Sequence, residues 1–126
     1  MLPKNLRELL EKLEYLALIN PNEKPNVNSL TFVAADSWKG SFQRLLHGES
    51  REHTIQVIEE YMRDALQALE EYRKSDYLLQ LANTIKRART GIERLVTTYS
   101  DSPGIIAKLK VIIMDTDHQL ASVTKG

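Results

Sequence analysis

Three histidines are the side chains in this sequence whose charge changes closest to neutral pH, so they are the first candidates for acid–base or metal chemistry. His47 and His53 flank Glu49 and Glu52, which puts two imidazoles and two carboxylates in one short stretch. A divalent cation accepts such donors, but the known constellations have stricter spacing. Zinc hydrolysis on a helix uses H-E-x-x-H, where both His share a face and the Glu is the base. Di-iron bundles use a doubled Glu-x-x-His. Neither pattern is present. Solvated turn and cap residues are the simpler account of this stretch.

His118 sits in Asp115-Thr116-Asp117-His118. A lone His on a small helical bundle invites comparison with histidine phosphotransfer domains. The Lys-Gly-type signature that follows the His in that family is here Gln119, Leu120 and Ala121, and the two Asp would repel a phosphoryl donor. The Asp pair also opens like a calcium loop, but the turn glycine and distal Glu are missing. Helical nucleases of the HEPN class place Arg four to six residues before His, whereas Arg44–His47 and Arg51–His53 are closer than that. There is no Cys, no phosphate-cradling Gly-rich loop and no nucleophile elbow. The sequence therefore reads as non-catalytic, with no cofactor and no metal.

Two other groups point to binding. Lys86, Arg87, Arg89 and Arg94 form a basic cluster that could contact nucleic-acid phosphates. No aromatic stacking platform accompanies it. The preceding helix carries Glu59, Glu60, Asp64, Glu70 and Glu71, so pairing between the two helices is expected to neutralise it. Trp38 and Phe42, one helical turn apart, suit core packing or the wall of a groove that accepts a partner's helix.

Bulk properties narrow the class. Lys+Arg and Asp+Glu number 17 each, which gives no net field toward nucleic acid or an anionic membrane. Hydrophobic residues at 42% and charged residues at 27% are a globular composition. No apolar run approaches the ~20 residues that span a bilayer. The N-terminal leucines are interleaved with Arg7, Glu8, Glu11, Lys12 and Glu14, unlike a signal peptide. Lack of Cys fits an intracellular chain, and a cytoplasmic location is the expectation.

Periodicity then supplies the elements. Leu6, Leu9, Leu10, Leu13, Leu16 and Ala17 predict a helix over about 4–19, ended by Asn20-Pro21-Asn22. Residues 20–28 read as a loop long enough for that helix to cross over the bundle. Leu30–Ala35 is either extended or the start of a helix. A shorter helix follows over about 36–47, capped by Asp36 and stopped at Gly48. Ile55, Ile58, Met62, Ala65, Leu69 and Tyr72 predict a helix over 50–74. Its stripe does not continue in phase onto Leu78, Leu81 and Ile85, so the chain must break near Lys74-Ser75-Asp76, with Ser75 or Asp76 capping a helix over 76–100. Ser102, Pro103 and Asp101 start the last helix, over 103–122, with Ile106, Leu109, Ile113, Thr116 and Leu120 as its stripe. Between Ile105 and Met114 only Lys108 and Lys110 interrupt the apolar run, so this helix is central or shares a face with another chain.

The expectation is an all-α antiparallel bundle, one domain over 1–126, of four long helices plus one short one. Its expected role is protein interaction, as an adaptor, regulator or structural component, with another protein or a second copy as partner. Trp38, Phe42, Ile106 and Ile113 are the candidate partner-binding residues. Nucleic-acid binding through Lys86, Arg87, Arg89 and Arg94 is the alternative.

Overall fold

A computed structural model describes residues 2–18 and 51–124, and within them the chain is helical with no strand. The elements are α1 (Lys4–Ala17), α2 (Arg51–Glu71), α3 (Leu78–Thr98) and α4 (Pro103–Thr124). The expected helix over 36–47, the ambiguous Leu30–Ala35, and Trp38, Phe42, His47 and Glu49 lie outside the described residues.

Each helix forms where its apolar stripe does, and the stripes meet in one core. Leu6, Leu10, Leu13 and Leu16 of α1 face Ile55, Ile58, Met62 and Leu69 of α2 and Leu81, Ile85, Ile92 and Leu95 of α3, all buried. From α4, Ile105, Leu109, Ile112 and Leu120 close the core. The buried hydroxyls of Thr84 and Thr116 donate back to the carbonyls of Gln80 and Ile112 at 2.9 and 2.7 Å. Those two polar groups are thereby satisfied within the core.

The break between α2 and α3 falls where the phase slip requires it. It is built without glycine or any left-handed residue. Backbone N–H groups of Ser75 and Leu78 donate to the carbonyls of Tyr72 and Ser75 at 2.9 and 3.2 Å, a run of tight right-handed turns. The residue preceding α3 is Tyr77, not Ser75 or Asp76 as expected. Ser75 acts one step earlier: its hydroxyl accepts the N–H of Tyr77 at 3.0 Å. Before α4, Pro103 is the first helical residue and the Ser102 carbonyl accepts N–H groups from Ile105 and Ile106 at 3.1 and 3.0 Å. The Ser102 hydroxyl is bound to Arg51.

The neighbour relations differ from the expected order. Helices α2 and α3 run antiparallel, as do α3 and α4, but α2 packs only weakly on α3. Around the bundle the order is α1, α3, α4, α2, which leaves α2 and α3 on a diagonal. Like-directed pairs result. Leu2, Arg7 and Leu10 share a cleft with Gln80, Asn83 and Thr84, and farther along Arg94 donates to the Ala17 carbonyl at 2.9 Å, so α1 and α3 are parallel. Likewise α2 and α4 are parallel: Arg51 holds Asp101 at one end, and Arg73 reaches the Ser122 carbonyl at the other. Helices α1 and α3 are like-directed because α2, which lies between them in the sequence, runs antiparallel to both.

Candidate functional site

The basic cluster lies on α3, but its expected pairing with the acids of α2 does not form. Arg87 pairs with Glu14 of α1. Arg89 grips Asp117 of α4, with Nη2 at 2.9 Å from Oδ2, and also holds Glu93 at 2.8 Å. Arg94 covers the C-terminal end of α1, where a cation also complements the helix dipole. The reason is the diagonal: α2 is the helix that α3 faces least, so its cations turn to the helices on either side. Hydrogen bonding to Asp117 raises the Arg89 pKa further above its ordinary value. Lys86 is exposed. Replacing Arg89 or Asp117 with alanine is expected to cost about 1 kcal/mol each. A double-mutant cycle on thermal stability measures their coupling, and a coupling of zero would contradict the pairing.

A second ion-pair cluster joins the two like-directed ends of α2 and α4. Arg51 Nη1 donates to Asp101 Oδ1 at 2.8 Å and to Ser102 Oγ at 2.6 Å, with its guanidinium 4.7 Å from the centre of the Tyr99 ring. The Arg51 hydrogen bond holds the Asp101 carboxyl below its usual range. This contribution is complete above the ordinary Asp pKa of ~3.9 and is lost as pH falls below it. The Asp101→Asn variant is expected to flatten the acid limb of a stability–pH curve, which a thermal-melt series would show.

His53 and His118 do not converge. His53 lies exposed in the first turn of α2 and His118 is exposed near the end of α4. Among the described residues no group of three or more His, Cys, Asp or Glu is placed to share a metal ion. No helix among them is long and apolar enough to cross a membrane.

Among the described residues Leu18, Leu79, Val111 and Met114 are the exposed large apolar side chains, and α4 is the helix that carries two of them. Its core face is set by Ile105, Leu109, Ile112, Thr116, Leu120 and Val123. Ile106 and Ile113, assigned to the core stripe from spacing, are instead half-buried on the flank toward α3, and Ile113 packs against the rim of the core. The phase is turned by one residue, because Ile105-Ile106 and Ile112-Ile113 are adjacent doublets that offer two equally spaced stripes. On the opposite side Val111 and Met114 are 55% and 68% exposed. Spacing alone did not single them out; the signal was the long apolar run, broken by Lys108 and Lys110 alone, which exceeds what one core-facing stripe needs.

Beside that exposed face, α2 and α4 enclose an open groove of about 360 Å³. Met62 and Ile112 form its floor, Leu66 and Val111 its apolar walls, and Glu59, Arg63, Lys108 and Asp115 its charged rim. A smaller cleft between α1 and α3 is lined mostly by polar residues and is crossed by the Arg87–Glu14 pair. The apolar groove and the outward face of α4 are thus one continuous candidate surface. Comparison with protein-family models, with curated proteins and with solved structures finds no match for this chain.

Proposed function

We propose that this chain is a non-catalytic helical interaction module, an adaptor, regulator or structural component of the cytoplasm, that binds a helical protein segment along the outward face of α4. One observation carries the reading: Val111 and Met114 stand open to solvent on the helix whose other face is already committed to the core. Two large apolar side chains one turn apart, beside an apolar groove with a mixed-charge rim, suit an amphipathic helix that brings an apolar ridge and charges of both signs. Nucleic-acid binding is the weaker reading, since Arg87, Arg89 and Arg94 are engaged within the chain.

The test is site-specific photocrosslinking in native host cells. A photoreactive side chain at Met114 is expected to yield a protein adduct that the same group at the exposed Glu8 of α1 does not. Equal adducts from both positions, or none from Met114, would contradict the reading.

A further inference from the structure

The exposed face of α4 has an order that the groove alone does not explain. Gly104, Ala107, Val111, Met114, His118 and Ala121 follow one another at alternating steps of three and four, and all are exposed. That is the spacing of the a and d positions of a coiled coil, and it forms a seam along the side of α4 away from the core. The residues beside the seam are sorted by charge: Lys108 and Lys110 come before its midpoint, Asp115 and Asp117 after it. Lys108, Lys110 and Asp115 make no ion pair among the described residues, whereas Asp117 is held by Arg89.

Such a helix is complementary to itself turned end for end. We infer that the occupant of this face is a second copy of the chain, with α4 packed on α4 of its partner about a two-fold axis crossing the seam near Ile112 and Ile113. In that antiparallel register Val111 lies against the partner's Met114, and Ala107 against the partner's His118. Lys108 meets the partner's Asp115, and the two-fold axis makes the pair twice. Small residues toward both ends of the seam let the backbones approach, and an added Cβ at Gly104 would meet nothing within 4 Å in the chain's own fold. Lysine-bearing halves lie on aspartate-bearing halves, and the antiparallel helix dipoles oppose each other favourably. A parallel pair would stack lysine half on lysine half.

This rests on the reading that the α4 face binds protein, and it adds the partner's identity and direction. The test is sedimentation of the intact chain from about 1 µM to about 1 mM, the range of weak interfaces, with Lys108→Asp and Asp115→Lys variants. Both residues are exposed and make no ion pair among the described residues, so neither substitution is expected to disturb the fold, which circular dichroism checks. Wild type is expected to self-associate, and each single variant to do so at least about tenfold more weakly, because each creates two like-charge contacts. An equimolar mixture of the two variants is expected to recover association as a heterodimer. Wild type that stays monomeric overturns the inference. So does Lys108→Asp that associates normally, or a mixture that fails to recombine. A monomeric wild type whose Met114 photoadduct contains a different polypeptide removes self-pairing while leaving the interaction module standing; one with no adduct removes both.

Discussion

Gly91→Ala is expected to destabilise the protein by roughly 2–3 kcal/mol, the cost of overpacking a tight contact. The same exchange at a neutral interior site of a helix would stabilise it by up to ~1 kcal/mol, because alanine has the better helix propensity. Geometry reverses the sign. A Cβ built at Gly91 lies 1.9 Å from the carbonyl oxygen of Leu16 and 2.9 Å from its carbonyl carbon. Both atoms are backbone, so no rotamer change relieves the clash, and α1 has to move off α3. Gly91 is therefore a point of close backbone approach between the parallel α1 and α3, and Arg94 holds the same end of α1 one turn later. Gly104→Ala, where space is open, is the control and should leave stability unchanged or slightly raised. Denaturant midpoints in dilute protein give both values. A Gly91→Ala variant more stable than wild type would mean that α1 does not cross α3 there.

The second large effect concerns the phase of α4. Ile112→Asp is expected to cost at least about 4 kcal/mol, since a carboxylate would be placed among apolar groups without a partner. That is a large part of the 5–15 kcal/mol that holds a typical domain together. The side chain is 8% exposed in the core, two residues from Met114, which is 68% exposed. Met114→Asp should change stability by less than about 0.5 kcal/mol. Ile113→Asp should fall between them, because Ile113 is half-buried. Helical ellipticity and urea midpoints of the three variants establish the order. Ile113→Asp costing more than Ile112→Asp would return the core stripe to the phase that spacing alone suggested.

That phase shows where sequence reasoning stops. In α1, α2 and α3 one stripe at steps of three and four dominates despite neighbours such as Leu9-Leu10 and Val57-Ile58, so Leu13, Ile58 and Ile92 could be placed in the core from pattern alone, and all three are fully buried. The slip between Tyr72 and Leu78 was legible for the same reason, although the turn contains no glycine. In α4 the isoleucine doublets make the pattern degenerate. Only packing against Met62 and the Arg89–Asp117 pair shows which member turns inward. Neighbour relations were beyond reach on different grounds. A short connection says that α2 and α3 are antiparallel, but not whether they sit side by side or across a diagonal. The assignment of Arg87, Arg89 and Arg94 to the acids of α2 failed on that distinction. The exposed seam was half legible: the excess of apolar residues in α4 was plain, but the face left outside became visible only once the inner face was known.

Methionine oxidation tests the central claim, an open outer face of α4 that another helix covers. The chain has three methionines, of which Met62 is 2% exposed in the core and Met114 lies on the seam. Dilute peroxide with peptide mass spectrometry reads each rate separately, since accessible thioethers oxidise first. Met114 is expected to oxidise fast in dilute protein and progressively more slowly as concentration rises, while Met62 stays slow throughout. A Met114 as protected as Met62 in dilute solution would contradict the open face itself, and one indifferent to concentration would contradict its being covered by a second copy.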